Sequence, residues 1–413
     1  MRCHLIAALT SSLLAMALAC GCGRKASDDT AAAEGTPATD TGGVADDQPE
    51  ARATKDDDSA DADHAGDSRA AAPAEPHAPQ VEISARLEAQ TALLRGALFL
   101  VQNQADDGSW GEHPGITAMV VAALKATPMA EDEKGQAAVA RALAYIRSTV
   151  TDEGTIRQDK ATAGVYSSAA CLLALKLVDA AEDRDRIDAL RRHLVAGQTE
   201  QVGEFHYGAT LGPGGYPDLS NTHWALEAIR LTRRPAQGAP TRKLWARATA
   251  LVTQCQVDAP DNPAAHGGFL YYPPGEQPEE PAHEKTQVVW GSLTFGGLKT
   301  LFFAGVKPDD PRIQRGLAWV NHNYTLERNP GLDQGGLYYY YYMLSSALRF
   351  LDRDTVTTAD GVQHNWRQEL AEVLLSRQRG DGQWTNDNRL WLESKPELCT
   401  AYAIKALEFA LRE

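Results

Sequence analysis

The stretch Arg95-Gly96-Ala97-Leu98-Phe99-Leu100-Val101-Gln102-Asn103-Gln104-Ala105-Asp106-Asp107-Gly108-Ser109-Trp110 decides the fold. A basic residue and glycine come first, then an aromatic-leucine pair, a glutamine and a closing Gly-x-Trp. Each position has a physical use. Gly108 lets the chain turn with positive φ after a helix, the Trp110 indole is large enough to fill the wedge between neighbouring hairpins, and the Gln104 amide can satisfy backbone groups left bare at a helix end. The segment is a stability motif and carries no chemistry of its own.

Working outward, weaker copies recur in the same register. Arg141-Ala142 leads to Tyr145-Ile146; Ala189-Leu190 leads to His193-Leu194 and Gln198; Arg247-Ala248 leads to Leu251-Val252 and Gln256. Arg315-Gly316 leads to Trp319-Val320, and Glu369-Leu370 leads to Val373-Leu374, Gln378 and Gly382-Gln383-Trp384. The six units lie about 45 to 70 residues apart, at or above the spacing of helical-pair repeats. In each, an amphipathic helix ends in a glycine-rich turn, at Gly108, Gly154, Gly214-Gly215-Tyr216, Gly267-Gly268-Phe269, Gly335-Gly336-Leu337 and Gly382. A more apolar helix follows, over 117–125, 167–177, 221–231, 292–303, 338–351 and 400–411. A helix apolar nearly all round must be enclosed, so the alternation predicts an outer and an inner ring. Residues 81–413 therefore read as an all-α (α/α)6 toroid of six helical hairpins, closed on itself and needing no polar capping repeats.

The Arg-Gly, Phe-Leu, Gln, Gly-x-Trp spacing resembles the QW motif of the squalene cyclase and protein prenyltransferase β-subunit repeat family, the terpenoid cyclase-prenyltransferase α/α toroid. The resemblance covers nearly all of the folded part. It implies working groups where the inner helices start, facing a central cavity. The acidic Asp-x-Asp-Asp tetrad of the class II cyclases has no counterpart at any inner-helix start, because Asp309-Asp310 lies in a Pro-bounded loop before a first helix. Without such an acid, protonation of an alkene has no donor. The zinc set of the prenyltransferases is matched only by Glu397, Cys399 and a distant His223, which does not give three converging ligands, so no metal and no cofactor are expected. Fold alone does not imply function.

What the inner-helix starts do hold is aromatic and hydroxyl groups. The run Tyr338-Tyr339-Tyr340-Tyr341-Tyr342 covers every face of a helix, so some phenols must look inward. Candidate lining residues are Tyr166, Asn221, Trp290, Phe295, Tyr338, Tyr341, Tyr342 and Tyr402, a set suited to an apolar or sugar-like ligand. Two long loops, Gly203–Asp218 and Asp258–Gln287, lie on a glycine-rich rim where His206, Asp218, His266 and Asp333 also sit. His223, Asp333 and Asp218 are the catalytic candidates, a carboxylate with a histidine as acid-base pair. Three readings follow: a toroid binding an apolar or isoprenoid-like ligand or a partner without cyclase chemistry; an enzyme, either a terpenoid cyclase or transferase or a carbohydrate-active (α/α)6 barrel; and a scaffold for protein contact.

The start of the chain differs. Residues 1–22 hold Arg2, an apolar run from Leu5 to Ala19 and then Cys20-Gly21-Cys22-Gly23, a signal peptide ending like a lipobox. Cys20 is the expected lipidation site, Cys22 the alternative, and an ordinary secretory signal the plainer reading. Residues 23–80 are Ala, Asp, Gly, Thr, Pro and Glu with almost nothing to bury, a disordered acidic linker. The 413-residue chain has a net charge of −15 and no basic cluster, which argues against nucleic acid. The expectation is an exported lipoprotein touching the membrane through its anchor alone. Of six cysteines, Cys171, Cys255 and Cys399 fall in the folded part, each in an apolar helix as a small buried thiol.

Overall fold

The computed structural model describes residues 81–157, 164–197, 218–232, 242–277 and 284–412, all within one compact unit, Ala74–Glu413. The signal and linker residues, Cys20 and Cys22, Gln198, His206 and Gly214-Gly215-Tyr216 lie outside the described residues. Twelve α-helices occur among those described. The outer ones are α1 (Ile83–Gln102), α3 (Glu133–Thr149), α5 (Arg184–Ala196), α7 (Arg242–Cys255), α9 (Pro311–Asn323) and α11 (Trp366–Arg377). The inner ones are α2 (Pro114–Lys125), α4 (Gly164–Val178), α6 (Leu219–Leu231), α8 (Gly291–Phe303), α10 (Leu337–Phe350) and α12 (Pro396–Leu411). The only strands described form a two-residue hairpin, β1 (Val356–Thr357) with β2 (Gln363–His364).

Hydrophobicity sorts the two rings. From Gly291 to Leu301 every residue of α8 is buried, whereas α3 buries a stripe of Gly135, Ala138, Val139, Ala142, Leu143 and Ile146 and turns Lys134 and Arg141 outward. The inner helices pack in order, α2 on α4, α4 on α6, α6 on α8, α8 on α10, α10 on α12, and α12 back on α2. That last contact closes the ring, and α1 seals it outside by packing on α11 and α12.

The repeat motif makes the joints. Gln104 Nε2 donates to its own turn at the Gly108 carbonyl (2.9 Å) and to the Ala138 carbonyl of the next outer helix (2.8 Å). Gln256 does the same to Gly267 (3.0 Å) and Arg312 (2.9 Å), and Gln378 to Gly382 (2.9 Å) and Ala92 (2.8 Å). The glutamine thus ties one hairpin to the next as well as finishing its own helix. Gln378 ties the sixth to the first. Trp110 and Trp384 are buried, their indoles donating to Leu100 and Leu374 carbonyls (2.9 and 2.8 Å) and their backbone N–H groups to Thr117 and Thr400 hydroxyls (3.1 and 3.0 Å). The Trp384 ring lies against Gly96, where a Cβ would come within 2.7 Å of it.

The fifth unit departs from the pattern. Gly335-Gly336 do not press on the next outer helix; Gly336 (φ 61°) starts α10, and the link to α11 is Tyr324 Oη donating to Glu369 (2.8 Å). Cys171, Cys255 and Cys399 are buried thiols.

The closing joint gives a sharp test. Gly382 (φ +95°) holds the Arg95 carbonyl oxygen where a Cβ would stand 2.5 Å from it, while Gly361 (φ +84°) has nothing within 4 Å. Gly361→Ala should lose only the left-handed penalty, about 1–2 kcal/mol. Gly382→Ala should lose about 1–3 kcal/mol more from the steric conflict. Equal losses in urea unfolding would show that the seam does not depend on this close approach.

Candidate functional site

Contacts between inner helices that are not ring neighbours identify the axis. Tyr166 of α4 and Tyr402 of α12 have α2 between them, yet their hydroxyls are 3.4 Å apart. Trp224 of α6 stacks near Tyr339 and Tyr342 of α10, ring centroids 6.4 and 6.0 Å apart, across from α8. Tyr166 meets Trp224 edge-on (5.1 Å), and Tyr402 meets Tyr339 and Tyr342 (both 5.7 Å). Five rings from four helices therefore converge near the ends where those helices begin. Tyr166 and Tyr339 are half-buried, and Trp224, Tyr342 and Tyr402 are buried.

Below the rings lies a polar chain. His223 Nε2 is 3.1 Å from Glu227 Oε2, which also accepts from Lys299 Nζ at 3.0 Å. The ammonium sits over the Tyr342 and Phe350 rings at 5.3 and 5.8 Å. All three groups are buried. Burial alone would lift the Glu227 carboxyl, but the Lys299 ammonium and the His223 hydrogen bond outweigh it and hold it at about 2 against an ordinary 4.5. Burial lowers His223, leaving the imidazole neutral at pH 7. Its Nε2–H then donates to the ionised carboxylate, and Nδ1, 3.4 Å from Tyr339 Oη, accepts from the phenol.

The helix starts are capped by side chains. Asp218 accepts from Asn221 N (2.8 Å) at the head of α6, and Asn329 Oδ1 accepts from Ser292 N (3.0 Å) at the head of α8. His113 Nδ1 accepts from Ile116 N (3.3 Å) at the head of α2. For α10 the cap comes from 54 positions down the chain: Glu393 accepts from Tyr339 N (2.7 Å) and Tyr338 N (3.2 Å). The loop reaches Glu393 through two left-handed residues, Trp391 (φ 56°) and Leu392 (φ 64°), steadied by Trp391 stacking on Tyr271 at 5.8 Å. Burial pushes the carboxyls of Asp218 and Glu393 up to about 7. Both are nonetheless engaged with backbone N–H groups, as carboxylates at helix starts are.

The residues singled out from sequence are distributed as follows. Tyr166, Tyr342 and Tyr402 meet on the axis, and His223 lies just beneath. Tyr341 Oη donates to the Leu326 carbonyl (2.6 Å), and Tyr338 lies edge-on to it. Phe295 packs on Tyr340, and Trp290 on Tyr271 and Trp391 at the rim. Asn221 Nδ2 donates to Asp218 (3.0 Å). Asp333 is exposed on the wall of a cleft of ≈ 500 Å³ with Lys285 3.6 Å away, and it is not brought to His223. Cys399 Sγ donates to the Glu393 carbonyl (2.9 Å), and among the described residues no three His, Cys, Asp or Glu side chains group as a metal site. Trp224, Glu227, Lys299, Tyr339 and Glu393 were not singled out, although a lysine inside the apolar run of α8 and a His-x-x-x-Glu pair on α6 were visible signals.

No protein-family model matches the chain, and no curated protein matches it. Solved structures do. The type II terpene cyclase MstE from Scytonema aligns with a TM-score of 0.51 at 13% identity, covering 79% of this chain and 98% of that one. A variant of it in complex with geranylgeranyl dihydroxybenzoate aligns with the same TM-score, identity and coverage. A glycosidase variant in complex with glucose aligns with a TM-score of 0.49 at 13% identity over 80% of this chain and 99% of that one. The chain has the α/α toroid fold of a type II terpene cyclase.

Two predictions follow from the buried charges. Lys299→Met leaves the buried Glu227 carboxyl without its cation, and should cost about 3–5 kcal/mol at neutral pH, read by urea unfolding. The pH dependence has a worked sign. Asp218 and Glu393 hold protons to about 7 when folded, against ordinary values of 3.8 and 4.5, so between these limits the folded chain binds more protons and stability falls as pH rises. Glu227 acts oppositely: its contribution is complete above 4.5 and is lost as pH falls toward about 2. Asp218→Asn with Glu393→Gln should flatten the decline between about pH 4 and pH 7; an unchanged slope would mean these carboxyls are not its source.

Proposed function

We propose that this chain is an exported lipoprotein whose toroid binds an apolar, isoprenoid-like ligand over its axial rings, without cyclase acid chemistry. The observation carrying this is the convergence of Tyr166, Trp224, Tyr339, Tyr342 and Tyr402 from four inner helices, with Tyr166 and Tyr339 keeping part of their surface open. A cluster of aromatic rings with few polar groups suits a ligand held by area and ring contact. The terpene cyclase sharing the fold holds a geranylgeranyl compound, which supports an isoprenoid-like body for the ligand here.

The carboxyls argue against alkene protonation. An acid for that step must be protonated and free to point at carbon. Glu227 is ionised and clamped by Lys299, and Asp218 and Glu393 are occupied by helix-start N–H groups. The anchor reading rests on Cys20 or Cys22 after the apolar run. No helix among the described residues is long and apolar enough to cross a membrane.

Full chain purified from membranes, extracted with solvent and examined by mass spectrometry, should yield a neutral or weakly polar lipid in near-stoichiometric amount. Trp224→Ala should retain roughly tenfold less, since losing a large aromatic contact is worth 1–2 kcal/mol or more. Extracts free of lipid, together with no binding of added geranylgeraniol, would overturn the reading. Cys20→Ser should abolish incorporation of labelled palmitate, and persistence of the label would transfer the anchor to Cys22.

A further inference from the structure

The outside of the ring carries one apolar face that the fold does not use. Outer helices meet water, and among the described residues α3, α5, α7, α9 and α11 expose no large apolar side chain. On α1 four are exposed: Ile83 (77%), Leu87 (58%), Leu94 (38%) and Leu98 (37%). At about 100° per residue they fall within roughly 60° of arc and extend about 22 Å along the helix. The other side of α1 is already committed to the ring through Ala85, Ala89, Leu93 and Leu100. Single surface leucines are ordinary, whereas a contiguous stripe marks a contact.

The rest of the sequence narrows what covers it. From Arg24 to Gln80 the only Val, Leu, Ile, Met, Phe, Tyr or Trp is Val44, so the preceding segment has nothing apolar to lay on the stripe. A helix resting on a lipid surface is flanked by free lysine and arginine. Here α1 has no lysine, Arg86 donates to the Leu411 carbonyl, Arg95 donates to the Arg379 and Gly380 carbonyls, and the chain carries −15. The stripe does match itself. Its two i,i+4 rows, Ile83-Leu87-Thr91 and Gln90-Leu94-Leu98, are related by the midpoint between Gln90 and Thr91. Turned end for end, Ile83 faces Leu98 of a second copy, Leu87 faces Leu94 and Gln90 faces Thr91, so apolar meets apolar and polar meets polar, ridge into groove. The Thr91 hydroxyl is spent on the Leu87 carbonyl (3.0 Å), which leaves its methyl group and the Gln90 amide at the centre. In this register Glu88 of one copy lies about 3 Å along the axis from Arg95 of the other, on the same flank, so unlike charges meet twice at the rim. We infer that α1 is the contact by which two copies of this chain associate, antiparallel about a two-fold axis between Gln90 and Thr91. One helix pair is small beside the about 800 Å² that each partner gives a standard interface, so the association is reversible. It is independent of the ligand reading above.

The test uses the full chain. In washed membranes oxidised before any detergent is added, Gln90→Cys puts a thiol beside the axis and should yield a disulfide-linked two-copy species above the level of the unsubstituted chain. Ile83→Cys alone should not link, because the same position of the other copy is about 22 Å away along the axis. Co-expressed with Leu98→Cys, it should. By light scattering of the purified chain, the mass should rise with concentration from one copy to two. Leu87→Glu with Leu94→Glu should weaken the dissociation constant at least about a hundredfold through like-charge contact. Its urea midpoint should stay within error, since both side chains are exposed in the single chain. A one-copy mass at every concentration together with no Gln90→Cys product would overturn the inference. Linking of Ile83→Cys alone would overturn the antiparallel register, and a two-copy mass kept by the double glutamate variant would move the contact off α1. Hydrogen exchange in α1 that slows only when phosphatidylglycerol vesicles are added would overturn it in favour of a lipid surface.

Discussion

The rest of the structure depends on a glutamine amide shared between two carbonyls, one in its own turn and one in the next outer helix. Gln104, Gln256 and Gln378 each make this bridge beside a left-handed glycine pressed on a carbonyl of the following unit. A bridge so short fixes both the separation and the angle of successive hairpins. Present in the first, fourth and sixth units, it helps curve the chain until the sixth unit reaches the first. Gln378 then donates to Ala92, and Arg95 donates back to the Arg379 and Gly380 carbonyls at 2.9 and 3.0 Å. Closure is thus made by the same device as propagation.

A closed ring buries one side of the inner helices, and that explains what the axis can hold. Charges there are strongly coupled because they are desolvated. Glu227 and Lys299 are a matched pair in such a place, and His223 adds a neutral donor to the same carboxylate oxygen. The pair contributes little net stability compared with well-packed apolar residues, but removing one member is expensive. What the arrangement does is hold the Tyr339 phenol and the rings around it in fixed orientations.

Much of the fold was legible in the sequence because its determinants are local. Gln104, Gly108 and Trp110 lie within seven positions, and their spacing is the geometry of one turn. The glycine at 336 misled for the same reason: a glycine pair after a helix looks like a joint, but Tyr324 and Glu369 carry that link across a longer loop. The site was less legible. His223 could be placed at an inner-helix start, yet whether Tyr339 or Tyr341 looks inward depends on the rotational phase of α10. That phase is set by contacts with Thr325 and Leu326 and by the Glu393 cap, all distant in sequence. Glu227 and Lys299 meet only because α6 and α8 are neighbours in space.

The seam has one more consequence. Arg86 at the start of α1 donates to the Leu411 carbonyl at the end of α12 (3.0 Å), so the two extremities of the toroid lie side by side. Since side chains, not a peptide bond, join the sixth hairpin to the first, the position of the break is arbitrary as far as the ring is concerned. The topology is therefore that of a circular permutant family: joining the extremities by a short linker and opening the chain at the exposed turn near Asp261 would change the order of synthesis while leaving every inter-hairpin joint in place.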